Sequence, residues 1–156
     1  MRKTAIVLVA VAACAAASPA SAHHSHGAFF DACTPVTVEG SVQAVQWKAP
    51  HVLIDVKTDQ GLLYRAEWTS PQGLSRRGIE PAMVMAGERI VVTGAPLRPV
   101  DQLPAERRAA YSDPNLRILD VLKIRDAGDA WSWGVDVMPN SQNCSRGFPF
   151  APGQVR

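Results

Sequence analysis

Cysteine is scarce in this chain, charge is almost balanced, and no apolar run is long enough to cross a membrane; each shortage excludes something. The longest apolar stretch, residues 4–17, falls short of the ~20 residues a spanning helix needs, so no transmembrane segment is expected. Sixteen Lys and Arg stand against fourteen Asp and Glu, and Arg2 and Lys3 belong to an N-terminal targeting segment. The chain beyond that segment carries no positive surplus, which argues against nucleic acid as a partner. Also missing are a nucleophile elbow, a pair of coupled carboxylates and a glycine-rich phosphate loop. Ser, His and Asp occur, but in no catalytic arrangement, and the expected activity is non-enzymatic.

What is present begins at the N-terminus. Arg2 and Lys3, the apolar residues after them, and Ala20-Ser21-Ala22 make an export signal with a small-x-small cleavage site. Cutting after Ala22 leaves 134 residues, the size of one domain, and predicts a periplasmic or secreted protein. An alternative is lipoprotein processing at Val11-Ala12-Ala13-Cys14, which would tether the chain through Cys14. Apart from Cys14 there are two cysteines, Cys33 and Cys144. In an oxidising compartment they read as a disulfide tying the tail to the first strand, the other reading being two buried thiols.

Hydrophobic periodicity then divides the chain. Residues 23–35 are a histidine-rich lead-in with Phe29 and Phe30 available to pack. Residues 36–138 carry the domain, and residues 139–156, rich in Pro, Gly and Ser, a loop-like tail. Period-2 alternation predicts strands over 36–47, 51–57, 62–68, 89–94 and 117–125, with a further one over 131–137. Gly40 interrupts the first and suggests a bulge or sharp coil. Ser70-Pro71 caps a short helical piece over 72–77 that Gly78 ends. A long proline-rich connection, 97–115, holds a short helix over 105–111. Three strands, a helix and two strands is the order of an OB-like barrel. The expected fold is therefore all-β, a five- to six-stranded barrel with a short helix between strands three and four.

Residues from Ala22 to about Pro99 also carry an ordered set of motifs. These are His23-His24-Ser25, Phe30-Asp31, Val36 to Gly40, Val42, Val45-Gln46-Trp47, Pro50-His51, Ser70-Pro71, Leu74, Arg76-Arg77-Gly78 and Gly87 to Gly94. In these the chain resembles a family of small exported bacterial proteins of uncharacterised function. The resemblance implies export and an OB-like barrel, and no activity. The chain departs from the family pattern at Ala49, where the pattern has an Asn that would orient His51.

Four histidines come after the signal: His23, His24, His26 and His51. Cleavage after Ala22 gives His23 a free α-amine, and an amine and imidazole on one residue chelate copper. If the lead-in folds back along strand two, His51 joins His23 in a T-shaped nitrogen set suited to Cu(II). Zinc is disfavoured, because no acidic or thiolate ligand stands nearby in sequence. The alternative reading makes the histidines incidental, with the barrel face and the 97–115 loop contacting a protein or envelope partner. A third is a redox enzyme built on the same histidines. Trp47, Trp68, Trp131 and Trp133 read as packing rather than as a stacking platform. Arg76-Arg77 reads as a solvated helix end, the other reading being a grip on an anionic ligand, and Arg107-Arg108 as a charged exposed helix face. Asp55 and Glu67 lie on the predicted hairpin with no sign of coupling.

Overall fold

A computed structural model of the chain describes residues 26–134, and of His26 only the backbone. The expected signal peptide, Cys14, His23, His24, Cys144 and the tail lie outside the described residues. Among the described residues six strands form one sheet: β1 (Val36–Gln46), β2 (Leu53–Thr58), β3 (Leu63–Glu67), β4 (Arg89–Pro96), β5 (Leu116–Asp126) and β6 (Ser132–Gly134). Helix α1 (His26–Phe29) precedes the sheet and α2 (Pro71–Ser75) lies between β3 and β4. The strand order is β3-β2-β1-β4-β5-β6, and a parallel pairing of β3 with β5 closes five strands into a mixed barrel. Strand β6 stands outside it, paired with Lys123–Arg125 on the same edge of β5 that β3 uses further upstream. This is the OB-like barrel expected from the element order.

Local chemistry accounts for the elements. The β2–β3 hairpin turns at Gly61, whose φ of +81° favours glycine, and the Thr58 hydroxyl accepts a hydrogen bond from the Leu62 N–H at 3.2 Å. Ser70 caps α2, its Oγ accepting from Gly73 N–H at 3.2 Å, and Pro71 takes the first helical position. Leu74 of this helix is fully buried, with Ile79 and Val84 beside it in the main core, so α2 and the turn after it seal the barrel interior. The 97–115 connection is ordered into two 3-10 helices, Val100–Gln102 and Ala105–Tyr111, with Leu103 buried between them. The Arg108 guanidinium braces it, donating to the carbonyls of Leu103 and Asp101.

Two register shifts decide which side chains face inward. In β1 the shift falls between Val42 and Ala44, at Gln43, not at Gly40. Strict alternation from Val38 and Val42 would bury Ala44; the extra residue turns Val45 and Trp47 to the core instead. Gly40 is needed for a different reason, a close approach of β2: a Cβ there would collide with the Lys57 carbonyl oxygen. In β5 alternation alone groups Ile124 with Ile118 and Leu122. The shift in the β4–β5 ladder breaks this, so Leu119, Val121 and Ile124 join the main core. Ile118 and Leu122 pack outside it against Phe29, Phe30, Ala95 and Leu97. The N-terminal segment is thus a cover on the outer face of β4 and β5, with Phe30 bridging to Leu97.

Candidate metal centre

His51 sits just before β2, after the cis Ala49–Pro50 peptide. The hairpin ladder continues past the strand ends: Val52 N–H donates to the Thr69 carbonyl at 3.2 Å and Trp68 N–H to the Val52 carbonyl at 2.8 Å. Val52 and Trp68 therefore point into the core, and their neighbours His51 and Glu67 point out, because side chains alternate along a strand. Glu67 pairs with Leu53 in the ladder, so His51 lies diagonally across from it.

Two contacts set the imidazole. His51 Nδ1 lies 3.0 Å from the Trp68 carbonyl oxygen. A carbonyl only accepts, so Nδ1 donates the proton of this hydrogen bond. His51 Nε2 stands 3.8 Å from Glu67 Oε1, with the two side chains 26% and 21% exposed. An N–H pinned to a backbone carbonyl is the usual second contact of a metal-ligating histidine. The same contact also serves a structural histidine, as expected when a hairpin carbonyl lies nearby.

The outer face extends beyond this pair. Glu67 is level with Asp120 in the parallel β3–β5 ladder, while their neighbours Ala66 and Leu119 face the core. Asp120 is buried. Tyr111 closes the 105–111 turn over this region. Burial raises its phenol above the ordinary range, the Glu67 charge raises it further, and Arg107 opposes both. The Phe29 ring packs on Tyr111 with centroids 5.9 Å apart.

The start of the described chain is fixed on the same side. Arg98 N–H donates to the Phe29 carbonyl at 2.8 Å, Arg98 Nε to the Gly27 carbonyl at 3.2 Å, and Asp31 N–H to the Pro96 carbonyl at 2.8 Å. From Gly27 on, the described part of the lead-in runs beside Leu97 and Arg98. The Phe29–Tyr111 ring contact ties α1 to the 105–111 turn. His23 and His24 lie outside the described residues, and His26 opens α1. Among the described residues no group of three or more His, Cys, Asp and Glu is arranged to hold a metal ion. Cys33 is half-buried, its N–H donating to Asp31 Oδ1 at 3.0 Å; its expected partner Cys144 lies outside the described residues.

Sequence reasoning placed Glu67 on the hairpin but did not set it beside His51. It set zinc aside for want of a nearby carboxylate, and the hairpin supplies one. The signal was the hairpin register: counting outward from the turn at Gly61 sets Glu67 opposite Leu53, and so diagonal to His51. Asp55 is also coupled, in a two-pronged pair with Arg65 directly opposite, at 2.7 and 2.8 Å.

The four tryptophans converge on one another. Trp68, buried in the core, meets Trp47 and Trp133 edge-on at 6.4 and 5.4 Å and lies nearly parallel to Trp131 at 6.5 Å. Arg77 lies over the Trp133 ring, 5.5 Å from its centroid, so this arginine packs on an aromatic face rather than facing solvent alone. Elsewhere Thr37, Glu39, Asp59, Tyr64 and Arg89 line an open cleft. Glu39 and Asp59 both engage the Arg89 guanidinium, which neutralises it as an anion site.

Residues 10–103 match the model of a family of unknown function, DUF6152, and the chain belongs to that family. The matched residues run through β4 and stop within the connection to β5, so the strand that closes the barrel lies outside them. None of the curated proteins compared matches the chain.

Proposed function

Within a family of unknown function, we propose that this chain is an exported, non-enzymatic binding module. In this reading it holds copper through His51 and the histidines of its mature N-terminus, His23, His24 and His26. The observation that carries the reading is the pinned imidazole of His51. The Trp68 carbonyl accepts from Nδ1 and orients the ring, which supports a reading in which Nε2 is the ligating nitrogen. Preorganisation of this kind lowers the entropy cost of recruiting a ligand. The α-amine and imidazole of His23 would supply the chelating half.

The test is the intact mass of the native exported chain before and after one equivalent of Cu(II). The expected result is a mass beginning at His23 that retains one copper. Affinity is expected to fall about tenfold or more both in His51→Ala and after acetylation of the α-amine, a loss of ~1.4 kcal/mol or more. A lipidated start at Cys14, or weak binding indifferent to His51→Ala, would sink the copper reading. The barrel would then stand as a protein- or envelope-interaction module with incidental histidines.

A further inference from the structure

We propose that β1 offers a docking edge, where an extended, basic peptide segment of a partner protein adds as a further strand. The proposal shares no residue with the copper reading and stands apart from it. Register carries it first. The ladder of β1 with β4 runs back to Val36, paired with Gly94, whereas its ladder with β2 stops at Gly40, paired with Thr58. From Thr58 the chain turns away toward Gly61, so residues 36–39 have a strand on one side only. Alternation then says which groups are left. Val42 N–H donates to the Glu88 carbonyl, and the Val42 carbonyl accepts from Gly87 N–H, so Val42 directs its peptide groups toward the β4 side. Val36, Val38 and Gly40 are in step with Val42, while Thr37 and Glu39 direct theirs the opposite way. The Thr37 and Thr93 hydroxyls, 2.8 Å apart, agree with this, since side chains approach closest across a pair that exchanges no backbone bonds. Among the described residues no backbone group meets the N–H and C=O of Thr37 and Glu39 on that side. A row of free donors and acceptors on a strand edge is what an added peptide strand pairs with.

The cleft beside this edge decides the occupant. It measures about 390 Å³ and lies between residues 37–39 of β1 and the turn of the β2–β3 hairpin. That is room for one extended segment, not for the edge of a second barrel. Side chains of an added strand alternate between its two faces. One opposite Val38 faces the same way as Val38, where Leu62 and Tyr64 also line the cleft, and an apolar side chain suits it. Those opposite Thr37 and Glu39 face the outer side, beside Glu39, Asp59 and Arg89. Arg89 pairs with both carboxylates at 2.9 Å, which leaves a net negative charge. Glu39 and Asp59, 52% and 70% exposed, also reach solvent more than the arginine at 43%. A lysine or arginine side chain complements that charge, and an acidic one is repelled. An open strand edge also invites pairing with a like edge, so a second copy of this chain is the rival occupant.

The experiment uses the full processed chain as wild type and Glu39→Gln, with melting temperatures to check folding. The probes are short end-blocked peptides of alternating valine and polar residues. One carries a lysine at a polar position, one a glutamate in its place, and a third is the lysine peptide with alternate amides methylated so that its pairing edge is capped. Binding is titrated, and amide hydrogen exchange is followed residue by residue. In the free chain the Thr37 and Glu39 amides are expected to exchange faster than those of Val38 and Gly40. The lysine peptide should slow both by about tenfold or more. It should bind about two- to fivefold more tightly than the glutamate peptide, as exposed charge pairs do, and that margin should shrink in Glu39→Gln and at high salt. No protection of the two amides by any peptide, or equal binding by the methylated peptide, would overturn the docking edge. Equal binding of the lysine and glutamate peptides would overturn the basic occupant. Protection that grows with protein concentration alone would assign the edge to a second copy and overturn the peptide.

Discussion

Asp31 shows how a single residue fastens the N-terminal cover. Its carboxylate accepts from the Thr34 hydroxyl at 2.9 Å and the Cys33 N–H at 3.0 Å, while its own N–H donates to Pro96. Burial pushes the carboxyl up, but the bonds from Thr34 and Cys33 and the charge of Arg98 together outweigh it and hold the group below the ordinary aspartate range. A carboxyl depressed in the folded state stabilises the fold fully above the unfolded value. That contribution disappears as pH falls through the folded one. Asp31→Asn is therefore expected to cost about 1 kcal/mol near neutrality. The gap to wild type should close at strongly acid pH. Denaturant titrations at a series of pH values check this; a gap that stays constant into acid would assign the loss to something other than the carboxylate.

At the scale of elements, the strands, the hairpin, the cap at Ser70 and the helix between β3 and β4 were legible from alternation and turn residues. What escaped was phase. A bulge adds one residue without any residue type announcing it, so the inward face of β1 after Gln43 and of β5 after Val121 could not be read from periodicity alone. The site was half legible for a related reason. His51 stood out by its type, but the partnership with Glu67 depends on cross-strand register, which only the folded hairpin displays. Gly40, by contrast, announced a constraint correctly and misnamed its kind: the strand needs a bare backbone there because β2 passes against it. Gly40→Ala should force β1 and β2 apart and cost about 1–3 kcal/mol, as overpacking does. The midpoint of chemical unfolding measures it, and a change below a few tenths of a kcal/mol would mean that the strands yield freely.

At the scale of the whole molecule, the barrel has apolar surface on both sides of its wall. The interior is filled by β-branched residues and Trp68, whereas the outer face of β4 and β5 is covered only because the chain before β1 folds over it. Phe30 is the anchor of that cover and is almost fully buried. Phe30→Ala is expected to cost about 3–5 kcal/mol, the range for emptying a buried aromatic site. It should also raise hydrogen exchange at the Asp31 and Arg98 amides before that of β2. A uniform rise across the barrel would show that cover and barrel open as one unit.

The way the barrel is sewn shut carries a consequence for how it forms. The β2–β3 hairpin joins near neighbours, but the two seams that turn a meander into a ring unite positions as distant as Val36 with Gly94 and Leu63 with Leu116. The loop entropy of both seams must be met before their ladders and the enclosed core return any stabilisation. Most of the chain has therefore to be present and roughly arranged before the ring gains its hold, and the rate of folding is governed by that topology rather than by the speed of any turn or helix.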